Sequence, residues 1–291
     1  MTRSRMAIIS TLGLAALSPL LAQGFMRFRG GENFRISWEV HTAREIGNHS
    51  YDTPEWTNPV GFERDVFTFA RVRYESASGG GGRGGGPGWS TDTPDSDLNL
   101  SYRLQQITAL RTDPNGRVLR LTDADLTDYP FIYIVEPGRL YFNPQEVAAL
   151  RAYLNNGGFL MLDDFWDDSA WNNVAYVFKQ VFPDRGFTEL PLDHPLYKSI
   201  FSITEKGQVP GISYWERTGD TAERHEGGDT RTVHHRAILD DKGRIMVFAA
   251  HNTDNGDGWE REGEAPAYFE NFSLKYAYPL GINLIVYQMT H

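Results

Sequence analysis

Residues 130–164 constrain the fold more than any other stretch, because they read as a strand, a helix and a second strand in direct succession. Phe131–Val135 is a short apolar run rich in β-branched and aromatic residues, which is typical of a buried strand. Asn143 and Pro144 predict the start of a helix, and the sequence NNGG at residues 155–158 predicts its end. A unit of this length predicts a right-handed crossover within a parallel sheet.

Acidic residues follow the second strand of this unit, which we predict to be Phe159–Leu162. Asp167 and Asp168 precede the next predicted helix, and complementarity to the dipole of that helix explains them. Asp163 and Asp164 are less well explained in this way. In open parallel sheets ligands bind outside the carboxyl ends of the strands, so these two acids are candidates for a functional site.

The composition excludes several classes of function. The chain has 291 residues, a formal net charge of −10 and no cysteine. The negative charge disfavours non-specific binding to nucleic acid, and we expect no nucleic-acid partner. The absence of cysteine excludes disulfides, thiolate metal ligands and a cysteine nucleophile. The alternation of strands and helices favours one α/β domain over residues 65–291.

Residues 1–22 have the layout of a secretory signal peptide. Arg3 and Arg5 form a positively charged start, Met6–Leu17 is apolar, and Ala22 offers a small residue before a cleavage point. An uncleaved membrane anchor is the alternative, although the apolar segment is short for a span. We therefore expect an exported protein, periplasmic or extracellular, without a membrane span once the signal is removed.

Two further segments lie outside the regular pattern of strands and helices. Residues 23–64 are irregular and contain aromatic side chains, which predicts an N-terminal extension that packs on the domain. Residues 76–88, SASGGGGRGGGPG, predict a flexible loop. This loop lacks the lysine and the Ser or Thr of a phosphate-binding loop, so we favour a mobile insertion.

The segment after this loop contains an acid that helix capping does not explain. Residues 89–97, WSTDTPDSD, precede a helix that we predict over Leu98–Leu110. Asp95 or Asp97 is expected to cap this helix, which is the ordinary role of an acid at such a position. Asp92 lies before the cap and is therefore a candidate for function.

The C-terminal part of the chain predicts a hairpin and a helix. Residues 230–239 and 244–250 read as two strands joined by the turn signal DDKG. The next segment, HNTDNGDGWE at residues 251–260, resembles a calcium loop, but its acids do not have the EF-hand spacing. Residues 266–291 predict a terminal helix that Pro279 kinks or breaks.

An ordered set of motifs resembles the bacterial domain-of-unknown-function family 4159 from about Pro54 to the C-terminus; it includes WSTDTPDSDLNLSYRL, LRAYLNNGGFLMLDDF, GRIMVFAAHNTDNGDGWE and YPLGINLIVYQMT. That family is similar in fold to the class I glutamine amidotransferase superfamily. The resemblance implies an α/β fold, a flavodoxin-like three-layer sandwich with a mostly parallel central sheet, plus a C-terminal hairpin and helix. It implies no activity, because the family has no assigned reaction.

Glutaminase activity is not expected from this chain. The glutaminases of that superfamily use a Cys–His–Glu triad, and this chain has no cysteine. A serine nucleophile would need an elbow of the form G-x-S-x-G, which the sequence does not contain.

Three hypotheses of function remain. The first is a noncatalytic domain of the bacterial cell envelope that binds a ligand or a partner, which is an envelope protein or a glycan. Acids beside aromatic side chains suit a sugar or a cationic group. Its pocket at the carboxyl edge of the sheet would be lined by Trp89, Asp92, Asp163, Asp164 and Trp166.

The second hypothesis is an envelope hydrolase that acts on a carbohydrate-type substrate. Asp92 and Asp163 would supply the acid and the base, and His251 would carry the proton. The third is a hard-metal site that draws its ligands from Asp92, Asp163, Asp254 and His251, either structural or in the service of the hydrolase. We expect no organic cofactor, and a metal ion is the one cofactor that these residues allow.

Overall fold

The computed structural model describes residues 40–47, 53–62, 65–76, 88–223 and 228–291, which belong to one unit. The predicted signal peptide and most of the glycine-rich loop lie outside the described residues. The strands are β1 (Ala70–Val72), β2 (Glu75–Ser76), β3 (Arg117–Leu119), β4 (Phe131–Val135), β5 (Leu140–Tyr141), β6 (Phe159–Phe165), β7 (Thr188–Glu189), β8 (His234–Leu239) and β9 (Ile245–His251). The helices are α1 (Asp95–Ile107), α2 (Pro144–Asn155), α3 (Asp167–Val181), α4 (Ile212–Thr218), α5 (Asn255–Glu260), α6 (Pro266–Tyr268) and α7 (Tyr278–Thr290), with a π-helix over Phe269–Ala277.

The central sheet has seven strands in the order β3-β1-β4-β6-β9-β8-β7. The first five are parallel to one another. At one edge β8 pairs antiparallel with β9, and β7 pairs antiparallel with β8. Numbered along the chain, the five parallel strands have the order 2-1-3-4-5, which is the flavodoxin-like order. The predicted flavodoxin-like sandwich is therefore confirmed, and the predicted hairpin is β8–β9, inside the sheet.

Helices cover both faces of the sheet. In β4, Ile132 and Ile134 face the core beneath α2 and α3, whereas Phe131, Tyr133 and Val135 face the core beneath α1, α5 and α7. Successive side chains of a strand point to opposite faces, so a strand between two cores has to be apolar throughout. This is why the central strands read as continuous apolar runs.

Strand β6 is longer than its apolar run predicts. It continues through Phe165, so Asp163 and Asp164 lie within the strand, and the prediction that they follow it is wrong. The pairing with β9 shifts register between Leu162 and Phe165, and Asp164 has φ 51°. This irregularity is a bulge, which turns the end of the strand and lets it carry polar side chains.

The acids at the start of α1 do not cap it, contrary to our prediction. The helix begins at Asp95, three residues before the predicted start, and its N-cap residue, Pro94, makes no side-chain cap bond. Asp97 pairs with the buried Arg71, and Asp95 accepts a hydrogen bond from Thr53. Partners distant in sequence therefore replace the expected local cap.

The C-terminal helix is confirmed, but Pro279 does not break it. The helical path runs from Pro266 to Thr290 through the π-helix, and Pro279 lies in the first turn of α7. A proline is tolerated where the winding changes, because its missing N–H is then less costly. None of the described helices is both long enough and apolar enough to cross a membrane.

The described parts of the N-terminal extension lie against β3 and the loop before it. Ala43 N donates to Asn115 O, Val118 N donates to His41 O, and Trp56 Nε1 donates to the carbonyl of Thr112. The remaining residues of the extension lie outside the described part of the chain, so the packing of the whole extension stays a prediction.

Candidate functional site

The end of β6 and the connections that follow β1 and β9 bring five acidic side chains to the carboxyl edge of the sheet. Asp92 lies between β1 and α1, and Asp163 lies near the end of β6. Asp254, Asp257 and Glu260 follow β9, at the start of α5 and within it. In a flavodoxin-like sheet this edge, beside the point where the strand order reverses, is the usual place for a ligand.

A buried arginine fixes the loop that carries Asp92. Arg71 is fully buried, and its Nη1 donates to the carbonyl oxygens of Trp89 at 3.0 Å and Thr91 at 2.9 Å. Its guanidinium also pairs with Asp97. Asp92 takes a left-handed backbone conformation with φ 62°, which a residue other than glycine adopts only where the surroundings hold it. Arg71 therefore sets the position of Asp92.

Helix α5 carries the other acids. Asp254 caps it by accepting a hydrogen bond from Asp257 N at 2.8 Å, and Asp257 Oδ2 accepts one from Ile212 N. Gly256 lies against Asp92, because a Cβ at this position would be 2.2 Å from Asp92 Oδ2. The absence of a side chain at Gly256 is what lets Asp92 approach the helix.

Asp92, Asp257 and Glu260 form what we call the acidic cluster. Each offers a carboxylate oxygen, and these oxygens lie within 4.8 Å of one another. The three residues are 9%, 7% and 2% exposed. Among the described residues Asp92 Oδ2 has no hydrogen-bond partner although it is buried.

Arg261 is the cation closest to the acidic cluster, but it is shared. Its Nε lies 2.7 Å from Glu260 Oε2, without the alignment of a hydrogen bond, and 3.3 Å from Asp257 Oδ1. Its Nη1 lies 3.3 Å from Glu264 Oε2. One guanidinium therefore serves three carboxylates, and negative charge remains in excess around Asp92.

Burial and mutual repulsion raise the pKa of several of these acids. Burial raises the pKa of Asp92 well above its usual value, and Asp257 adds to the rise against the pull of Arg71 and Arg261. The pKa of Glu260 is raised by burial and then by Asp92. The pKa of Asp254 is raised by burial and then by its acidic neighbours. A proton or a bound cation would relieve this repulsion.

Asp163 has a donor on each of its carboxylate oxygens. Its Oδ1 accepts from Asn255 Nδ2 at 2.8 Å, and its Oδ2 accepts from Gly256 N at 2.9 Å and from Tyr133 Oη at 3.1 Å. Burial raises the pKa of Asp163 to about 6, and these hydrogen bonds act in the opposite direction. Asp163 therefore ties β6 to the start of α5, close to the acidic cluster.

The aromatic residues predicted to line the pocket are enclosed. Trp89 and Trp166 are 4% and 3% exposed. Arg73 covers the ring of Trp89 at 4.6 Å, and Trp166 Nε1 donates to Asp164 Oδ1 at 2.9 Å. Trp89, Asp164 and Trp166 lie near the carboxyl edge, as expected from the sequence. Neither indole ring offers a free face for stacking on a sugar.

His251 lies on the other face of the sheet. Its ring stacks on Phe165 at 4.9 Å, on the side of α3, whereas Asp163 contacts Tyr133 on the opposite side. Nδ1 accepts from Arg236 at 3.0 Å, so Nε2 is the nitrogen that donates to the carbonyl of Asp167 at 2.9 Å. Burial lowers the pKa of His251 to about 4.

The structure thus divides the predicted site residues into two groups. It brings Asp92, Asp163 and Asp254 to one region of the edge. It does not bring His251 to them, so the predicted acid–base set and the predicted metal set that include His251 are not assembled. The sequence analysis missed Asp257 and Glu260, whose spacing of three residues on a short helix was the available signal.

The fold and the site together define a flavodoxin-like α/β protein with a buried carboxylate cluster beside its topological switch point. The chain belongs to the family described as Domain of unknown function (DUF4159), whose model matches residues 68–289. This match confirms the family that the sequence motifs resemble. A search of the curated proteins finds no match.

Proposed function

We propose that this protein is a noncatalytic binding domain of the bacterial cell envelope, and that it binds a positively charged group at the acidic cluster. The observation that carries the proposal is Asp92 Oδ2, a buried carboxylate oxygen without a hydrogen-bond donor among the described residues. Leaving such an oxygen unpaired costs about 1–3 kcal/mol or more, so a cationic ligand would supply what the site lacks.

The charge of the surroundings favours the same kind of ligand. Asp92 faces Asp257 and Glu260, and the shared Arg261 does not balance them. The excess negative charge attracts a cation more strongly than a neutral sugar. The enclosed indole rings of Trp89 and Trp166 also offer a sugar no surface for stacking.

The proposed location rests on the sequence. The layout of residues 1–22 favours export to the periplasm or the exterior, where the partner would be an envelope protein or a glycan. The net charge of −10 disfavours nucleic acid as a partner.

An envelope hydrolase is the alternative, and the site supports it less well. Its proton carrier would be His251, whose two ring nitrogens are both engaged on the opposite face of the sheet. Its second carboxylate would be Asp163, which already has a donor on each oxygen. A binding role needs neither of these groups to be free.

The test compares the protein with its Asp92→Asn variant in thermal unfolding, with calcium chloride, spermidine and glucosamine as cationic probes and glucose as the neutral probe. We expect at least one cationic probe to raise the Tm by several degrees, and the variant to lose this shift. Glu270→Gln removes one charge at an exposed position outside the acidic cluster, and it should keep the shift.

Two results would contradict the proposal. One is a shift with glucose that equals the shift with the cationic probes and persists in Asp92→Asn. The other is turnover of chromogenic glycosides that the Asp92→Asn variant loses, which would favour the hydrolase.

A further inference from the structure

The three carboxylate oxygens of the acidic cluster are spaced for a metal ion. They lie within 4.8 Å of one another, so a single point lies no more than about 2.8 Å from all three. Calcium–oxygen distances in proteins are about 2.3–2.6 Å, so movements of a few tenths of an ångström would complete the coordination.

The burial of the acidic cluster restricts the size of its ligand. Asp92, Asp257 and Glu260 are each at least nine-tenths buried, and the backbone of Gly256 lies directly against Asp92 Oδ2. An ammonium group could sit at hydrogen-bond distance, about 2.8–3.0 Å, from these oxygens, but it would bring a carbon chain that needs its own space. A bare ion needs no such space.

We propose that the acidic cluster is a calcium site, with one oxygen ligand each from Asp92, Asp257 and Glu260. This inference rests on the proposed function, since it names the positively charged group that the site binds. The unpartnered Asp92 side chain is the second observation, because its Oδ2 is enclosed and without a donor among the described residues, and one of its carboxylate oxygens lies within 4.8 Å of an oxygen of Asp257 and of Glu260.

Calcium suits the site better than the other common ions. Magnesium demands near-ideal octahedral geometry at about 2.0–2.1 Å and keeps several of its waters, so it usually takes one or two carboxylates and suits a buried set of three less well. Zinc prefers nitrogen and sulfur ligands, whereas these ligands are carboxylate oxygens. Calcium tolerates irregular geometry and completes its shell with water.

Arg261 is compatible with a bound ion. It also contacts Glu264, so it retains a carboxylate partner when the charge of Glu260 is shared with the metal. Asp257 Oδ2 accepts from Ile212 N and Asp257 Oδ1 accepts from Arg261 Nε at 3.3 Å, and these bonds hold the carboxylate in place. The ion would connect the loop after β1, through Asp92, to α5.

The experiment titrates calcium chloride alone into the full chain after treatment with a chelating resin, by calorimetry and by thermal unfolding. We expect binding of one ion per chain and a higher Tm, with magnesium chloride binding more weakly. Asp92→Asn and Glu260→Gln should each weaken calcium binding by about tenfold or more. Glu270→Gln, which removes the same charge at an exposed position outside the acidic cluster, should bind calcium like the original protein.

Gly256→Ala tests the geometry with all three carboxylates retained. Its Cβ would lie 2.2 Å from Asp92 Oδ2, so the side chain of Asp92 has to move out of the cluster and calcium binding should be lost. If this variant does not fold, Asp92→Asn carries the test, because it relieves repulsion and is expected to fold.

The outcomes separate this inference from the proposed function. If calcium does not bind but spermidine raises the Tm in an Asp92-dependent way, the calcium site is wrong and the binding function stands. If neither binds, both are wrong. Calcium binding that is unchanged in Asp92→Asn, or magnesium binding that is tighter than calcium binding, also overturns the calcium assignment.

Discussion

At the scale of single residues, the ion pair between Arg71 and Asp97 decides where the candidate site lies. Both side chains are almost completely buried, and the guanidinium also lies over the ring of Tyr133 at 5.0 Å. The same guanidinium holds the carbonyls of Trp89 and Thr91, so the loop that carries Asp92 has its anchor in the core. Stability and the position of the site therefore depend on one pair.

We predict that Asp97→Asn lowers the free energy of unfolding by about 3–5 kcal/mol, because it leaves the charge of Arg71 buried without its counter-charge. The control is Asp241→Asn, which removes the partner of Arg185 at an aspartate whose side chain is 89% exposed. An exposed pair contributes about 1 kcal/mol or less. Urea denaturation measures both variants, and equal losses would show that Arg71 finds another partner.

At the scale of elements, α5 is held against the end of β6 by Asp163. This carboxylate accepts from Asn255 Nδ2 and from Gly256 N, so two donors at the start of the helix meet one acceptor in the strand. The helix has only six residues, and a helix of this length is not stable on its own. Its position therefore depends on these bonds and on the burial of Trp259.

Asn255→Ala tests this connection. We expect a loss of about 1–3 kcal/mol in the free energy of unfolding, because Asp163 Oδ1 keeps its burial and loses its side-chain donor. Hydrogen exchange of the α5 amides should also become faster than in the original protein. Asn271→Ala, at an exposed asparagine, is the control, with an expected change of about 0.5 kcal/mol or less. Unchanged exchange in α5 would show that Asp163 does not hold the helix.

The elements also show how far the sequence predicts this protein. The crossover unit from β4 to β6, the hairpin β8–β9 and the terminal helix follow from local patterns of apolar and turn-forming residues, and they fix the parallel sheet. The position of Asp92 and Asp163 at its carboxyl edge follows from that sheet. Contacts between residues distant in sequence cannot be predicted in this way, since no local pattern pairs Asp97 with Arg71 or Asp92 with Glu260.

At the scale of the whole molecule, two kinds of buried titratable group with opposite shifts in pKa lie at the carboxyl edge of the sheet. Burial raises the pKa values of acids such as Asp92 and Asp163. It lowers the pKa of His251, on the face opposite Asp163, to about 4, and it lowers the pKa of His235, on the same face as Asp163, to about 3. The two kinds of group act on stability in opposite directions as the pH changes.

An acid with a raised pKa stabilises the fold at low pH and loses this contribution as the pH rises through its folded-state value. For Asp163 that loss falls between about pH 4 and pH 6. A histidine with a lowered pKa does the reverse. Its contribution is complete above about pH 6.5 and is lost as the pH falls towards the folded-state value, because the unfolded chain takes up the proton first.

His251→Gln isolates the histidine contribution to this balance. Glutamine retains an acceptor and a donor but does not titrate, so we predict that its cost in free energy of unfolding is larger at pH 7 than at pH 4, by about 3 kcal/mol. Urea denaturation at both pH values measures the difference, with His41→Gln at the surface as the control. A cost that is the same at both pH values would mean that His251 takes up its proton equally well in the folded and unfolded chain, and that its ring is not locked between Arg236 and Asp167.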